Sequence, residues 1–177
     1  MRSSLRKKLA SVMIVCMLVA IIPCQVFAAG KTGWRKAGKA FDDRYEWRYY
    51  ITSKKYAKGW KKIGKYWYYF QKDGIMMREH SLYGYEPGMV KDNGKWYYFD
   101  FGGRMHKSKW IETGYGITYL NSSGAAVSKK GWKKIKGKWY YFTKQGQYGP
   151  SVAYVNRTVT INGKKYKFNS KGVCKNK

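Results

Sequence analysis

Nine carboxylates, two histidines and three cysteines stand against 37 lysines and arginines, so this chain has little capacity for acid–base chemistry. The acids are Asp42, Asp43, Glu46, Asp73, Glu79, Glu86, Asp92, Asp100 and Glu112. Asp73 and Asp92 sit in turns beside glycine, and Glu79 is followed by His80. A general acid or base needs a pocket around it, and none of these positions brings one. No nucleophile elbow, phosphate loop or zinc signature occurs. His80 and His106 have no ligand pattern around them. The sequence calls for no cofactor and no metal, and it reads as non-enzymatic. What it holds in abundance is rings: eight Trp, 18 Tyr and seven Phe. Such rings bury against one another and stack on sugars, so the chemistry on offer is binding.

The rings recur in a fixed frame. Residues 59–70 read Gly-Trp-Lys-Lys-Ile-Gly-Lys-Tyr-Trp-Tyr-Tyr-Phe, residues 131–142 repeat the phrase, and residues 88–99 carry it with Met89 in place of the first tryptophan. Looser copies run from Trp110 to Leu120 and from Thr158 to Phe168. Four residues after each copy comes a glycine: Gly74, Gly103, Gly124, Gly146 and Gly172. An eroded earlier copy is expected over residues 34–58, where Tyr49-Tyr50-Ile51 echoes the phrase. Repeats of this length are one supersecondary unit each. Asn93-Gly94 and Asn162-Gly163 are two-residue hairpin turns, since both residues tolerate positive φ. The flanking strands alternate, with Trp96 and Tyr98 on one face, Tyr97 and Phe99 on the other. A single hairpin is marginal in water, so the units must stack. The expected fold is all-β, a solenoid of stacked hairpins. Unequal spacing between copies places insertions near residues 78–87 and 148–157.

The phrase Gly-Trp, then Gly-Lys-Trp-Tyr-Tyr-Phe, then a glycine four residues on, resembles the cell-wall-binding or choline-binding repeat of Gram-positive surface proteins. Related repeats bind glucan. The resemblance implies ligand pockets between neighbouring hairpins, each an aromatic cage for a quaternary ammonium. Its walls come from the Gly-Trp tryptophan, the first aromatic of Trp-Tyr-Tyr and the Gly-Trp position of the next unit. Carried over, the cages are Trp60, Trp67 and Met89; Met89, Trp96 and Trp110; Trp110, Ile117 and Trp132; and Trp132, Trp139 and Thr158. Ile117 and Thr158 offer no π face, so the second group is favoured, and the fourth calls for Tyr148 or Tyr154. Tyr98 and Tyr141 complete the candidate ligand residues, whereas Tyr97, Tyr140 and Phe142 read as packing. Against this stands a structural alternative, in which Trp60, Trp96, Trp110 and Trp132 only glue hairpins together.

The ends and the charge set the setting. Arg2, Arg6, Lys7 and Lys8 precede an apolar run over residues 9–22, and Val26-Phe27-Ala28 offers a cleavage site. That order is a secretory signal peptide over residues 1–28, leaving a degenerate first repeat at 29–58 and a repeat array at 59–177. Cys16 and Cys24 leave with the signal, so Cys174 has no internal disulfide partner. The formal charge of +28 loses four basic residues with the signal and stays at +24. Such a field attracts polyanions. Expected partners are a wall polymer (teichoic acid, choline-bearing or glycan), with no specific nucleic acid, membrane contact only through an uncleaved signal, and self-association through the solenoid ends. The expected role is a secreted, wall-associated binding protein, with glucan binding as the alternative.

Overall fold

The computed structural model describes residues 32–39, 45–79 and 88–177. The expected signal peptide at 1–28 and most of the expected insertion at 78–87 lie outside the described residues. Within them the chain is all-β: six antiparallel hairpins, each its own two-stranded sheet, and no helix. The hairpins are β1 (Gly33–Lys39) with β2 (Tyr45–Tyr50), β3 (Gly59–Ile63) with β4 (Tyr66–Phe70), β5 (Gly88–Asp92) with β6 (Lys95–Phe99), β7 (Lys109–Thr113) with β8 (Gly116–Leu120), β9 (Gly131–Ile135) with β10 (Lys138–Phe142), and β11 (Arg157–Ile161) with β12 (Lys164–Phe168).

The turns are tight for the reason the sequence gives. Asn93 and Gly94 take φ of 47° and 74°, and Asn162 and Gly163 take 51° and 78°, the left-handed pair that a two-residue hairpin requires. Lys136 is forced into the same conformation at φ 48°. Register then follows. Trp60 pairs with Tyr69 and Lys62 with Trp67, so both tryptophans and Tyr69 share one face, while Tyr68 and Phe70 share the other.

Hairpins stack head to tail, the first face of one on the second face of the next. Trp60 meets Tyr97 at 4.7 Å and Phe99 at 5.8 Å. Trp34 meets Tyr68 at 5.1 Å and Phe70 at 5.8 Å. Trp110 meets Tyr140 and Phe142 at 4.6 and 5.9 Å, and Trp132 meets Tyr166 and Phe168 at 4.8 and 6.0 Å.

A backbone stitch locks each step. After the second to the sixth hairpin the chain bridges back to its own last strand, at Met76, Met105, Ala126, Ala153 and Cys174. The same residues donate their N–H to the preceding unit: Met76 to the Trp47 carbonyl, Met105 to Trp67, Ala126 to Trp96 and Cys174 to Trp139 at 2.8 Å, and Ala153 to Ile117 at 2.9 Å. The glycine before the stitch serves close approach as well as φ. Gly103 lies at φ 73°, and a Cβ there would run into the Met76 side chain. Gly146, counted with the fixed glycines in the sequence, does not take positive φ. An insertion delays the stitch after Phe142 until Ala153, so Gly146 no longer makes that turn.

Candidate functional site

The stacking leaves clefts at some steps and fills others. The step from the second to the third unit is open. Trp60, Trp67, Tyr97, Met105 and Ser123 line a cleft of about 330 Å³. Trp60 and Trp67 stand nearly perpendicular, 6.5 Å apart at 80°, and Tyr97 closes a third side edge-on to Trp60 at 72°. Trp67 is 42% exposed, so the cleft has a mouth. Trp60 is oriented from the neighbouring hairpin: its indole Nε1–H donates to Asp92 Oδ2 at 3.1 Å. Burial raises the Tyr97 phenol pKa, and the Asp92 charge raises it further. The rings therefore stay neutral at physiological pH, with a carboxylate beside them that favours a cation.

The step from the first to the second unit is built the same way. Trp34, Trp47, Tyr68 and Met76 line a cleft of about 400 Å³, with Phe101, Gly102 and Arg104 at its edge. None of these was among the sequence candidates. The signal was present: Trp47 is to Tyr50 as Trp67 is to Phe70, with Arg48 in place of a tyrosine.

The step from the fifth to the sixth unit has the same walls and a visible occupant. Trp132 and Trp139 lie 6.3 Å apart at 89°, and Tyr166 closes the third side. Lys177 Nζ lies 4.6 Å from the Trp132 ring, 5.4 Å from Trp139 and 6.0 Å from Tyr166. Tyr141 flanks this group, packed on Trp132 and stacked on Tyr154 at 5.8 Å.

The two middle steps are filled. Trp96, 8% exposed, is buried with Tyr98, Leu120 and Ala126, and Met89 packs against that cluster. Thr118 stands where Tyr97 stands in the open step, and its Oγ1 donates to the Ser151 carbonyl at 2.8 Å. Burial pushes the Tyr98 phenol pKa up, helped by Tyr115. In the next step Ile117 replaces the second tryptophan, and it packs with Trp110 and Tyr119 against Tyr140, Phe142 and Ala153.

The sequence groupings therefore change. Trp60 with Trp67, and Trp132 with Trp139, come together as expected. Their third wall is Tyr97 and Tyr166 rather than Met89 and Thr158, because the next hairpin turns its second-strand face backwards. The favoured group of Met89, Trp96 and Trp110 forms no cleft: Trp96 and Met89 are packed in one step and Trp110 in the next. Cys174 is a free, buried cysteine at a stitch position. Among the described residues no group of three His, Cys, Asp or Glu could hold a metal ion, and no helix is long and apolar enough to cross a membrane.

A second kind of groove is basic. Lys54, Lys55, Lys58 and Lys61 line a space of about 630 Å³ with Tyr56 and Trp60 and no acid. Lys129, Lys133 and Lys134 line another of about 320 Å³ at the corresponding place three units on. Trp60 thus has an aromatic cleft on one side and a lysine groove on the other.

Stacked hairpins with ring-walled clefts between them define a repeat-built binding module. A family model described as a putative cell wall binding repeat matches residues 58–76, 90–105 and 130–148, so the second, third and fifth hairpins are cell-wall-binding repeats of the choline-binding family. Choline binding protein F of Streptococcus pneumoniae is similar at 30% identity, with a TM-score of 0.58 over 81% of this chain and 42% of that one. The same protein crystallised in the presence of a peptidoglycan analogue is similar at 28% identity and a TM-score of 0.55, over 81% of this chain and 52% of that one. The chain thus spans about half the length of these relatives or less. No curated protein sequence matches it.

Proposed function

We infer that this is a secreted, non-catalytic protein that anchors on the cell wall by taking quaternary ammonium groups of a choline-decorated, phosphate-bearing polymer into its open clefts. The observation that carries this is the Trp60–Trp67–Tyr97 cleft, with three rings around a space open to solvent and Asp92 hydrogen-bonded to one wall. A desolvated cation on such rings gains about 2 kcal/mol or more. The ammonium of Lys177 within 6.0 Å of three equivalent rings supports the same chemistry.

The net charge, +28 with the signal's four basic residues and +24 without them, opposes a free cation at long range. A zwitterionic group escapes that penalty. Its phosphate meets the lysines beside Trp60 while its ammonium enters the cleft on the other side. Several clefts along one polymer multiply the effect through effective concentration. Choline titrated against tryptophan fluorescence should saturate, and purified walls should retain the protein until choline displaces it. Absence of both choline response and wall retention would sink this reading. A glycan reading rests on the exposed Trp67 and Trp34 rings; retention on choline-free glucan, unaffected by choline, would favour it.

A further inference from the structure

We propose that the Trp132–Trp139–Tyr166 cleft is occupied by its own chain, with Lys177 as an intramolecular competitor that an external ammonium must displace. The inference rests on the ammonium-binding reading of the clefts.

The placement of Lys177 is not that of a loose tail. Cys174 donates its N–H to the Trp139 carbonyl at 2.8 Å, and Lys175 donates to the Lys167 carbonyl at 2.9 Å. Asn176 clamps the segment to β12 from both ends of its amide. Its Nδ2 donates to the Lys165 carbonyl, and its Oδ1 accepts from the Lys167 N–H, each at 3.0 Å. Residues 174–176 are therefore laced to the two hairpins that form the cleft, and the next side chain emerges over its mouth. All three ring distances lie within the ~6 Å reach of cation–π attraction.

The other clefts are finished differently. Ser123 of a later loop lines the mouth at Trp60, without a charge. At the Trp34 cleft the nearby cation is Arg104, but its guanidinium lies over Tyr66 at 4.8 Å, a ring outside that cleft. Among these three clefts one thus carries a tethered cation within reach of all three of its rings; Lys134 Nζ, 5.9 Å from Trp139, reaches one ring of the same cleft. Tethering raises the local concentration of the competitor to the millimolar range. A soluble ligand then sees a cleft that is competent only for the fraction of time Lys177 is away. A primary ammonium keeps three N–H donors that water serves better than rings do. A quaternary ammonium has none, so it is the stronger occupant and displaces the lysine at sufficient concentration.

The test uses the full chain and choline chloride, with indole N–H resonances assigned by single Trp→Phe variants. Without ligand, Lys177→Gln should shift the Trp132 and Trp139 resonances and leave Trp34 and Trp60 in place. The choline concentration that half-saturates Trp132 and Trp139 should fall about three- to fivefold, the factor expected if the cleft is free a fifth to a third of the time. Asn176→Ala, which cuts the clamp but keeps the lysine, should move it part of the way. Lys175→Gln, which removes the same charge away from the rings, should leave it unchanged. Unmoved Trp132 and Trp139 resonances in Lys177→Gln, or an equal effect of Lys175→Gln, would overturn the proposal. Failure of the function itself reads differently: choline would then leave the Trp60 and Trp67 resonances unmoved as well, while the ligand-free shift would still report on Lys177.

Discussion

The Trp60 cleft and the Met89–Trp96 interface occupy the same place in successive units, yet one is open and the other solid. Both have a first-strand residue, a second-strand tryptophan and the same backbone stitch, Met105 to Trp67 in one and Ala126 to Trp96 in the other. They differ at that first-strand residue, Trp60 against Met89, and in what the following hairpin and loop present. Tyr97 props the open step, and Met105 floors it. In the closed step Thr118 and Ala126 are too small to prop anything, and the loop around Ser151 caps the threonine. A repeat of this kind therefore separates two tasks that share one scaffold. Two tryptophans on one side of a step and a tyrosine on the other leave a crevice; where the tyrosine gives way to Thr118, or the second tryptophan to Ile117, the step fills. The closed step is not free of cost: Trp96 Nε1 and the Tyr98 and Ser151 hydroxyls are buried without hydrogen-bond partners.

The sharpest way to break the comparison is to truncate the equivalent tryptophans. Trp96→Ala removes a buried ring and should cost about 3–5 kcal/mol in chemical denaturation, leaving choline binding at the Trp60 cleft intact. Trp67→Ala removes a ring that is 42% exposed. It should change stability far less and weaken choline at that cleft by about 2 kcal/mol, roughly 30-fold in a fluorescence titration. Reversal of the two effects would mean that open and closed steps have been confused. Thr118→Val leaves the Ser151 carbonyl unpaired and should destabilise by about 1–2 kcal/mol in the same denaturation assay. Lys136→Asn replaces a strained left-handed lysine and should stabilise by about 1 kcal/mol, seen as a raised melting temperature.

The smallest effect expected is at Asp92. Asp92→Asn keeps an acceptor for Trp60 but removes the charge, so choline should weaken about threefold at that cleft. The charge now disfavours the Tyr97 phenolate, so its removal should lower the Tyr97 pKa while burial still holds it above the ordinary value. Ultraviolet titration of the tyrosines in the variant checks the sign.

Much of this was legible in the sequence, because the strongest signals are local. Asn93-Gly94 fixed a turn, and the turn fixed which residues of the hairpin share a face. Trp60 with Trp67 follows from counting within one unit. The third wall does not, since it depends on which face the next hairpin turns back, and a repeated phrase is silent on that. Tyr97 looked like packing for the same reason. The first unit was obscured by Arg48 inside its aromatic run and by the register shift between Lys36 and Gly38, which hid Trp34 and Trp47 as a pair. Gly146 kept its spacing from Phe142 but lost its task to an insertion. The position of Lys177 over three rings depends on the clamp by Asn176, a side chain with no repeat signal at all.

The number of choline sites per chain tests the account most directly. Equilibrium dialysis to saturation should give three, matching the clefts at Trp34, Trp60 and Trp132, with the last filling at the highest concentration. Five sites, one for every step between hairpins, would contradict the distinction between open and closed steps, and none would contradict the function built on it.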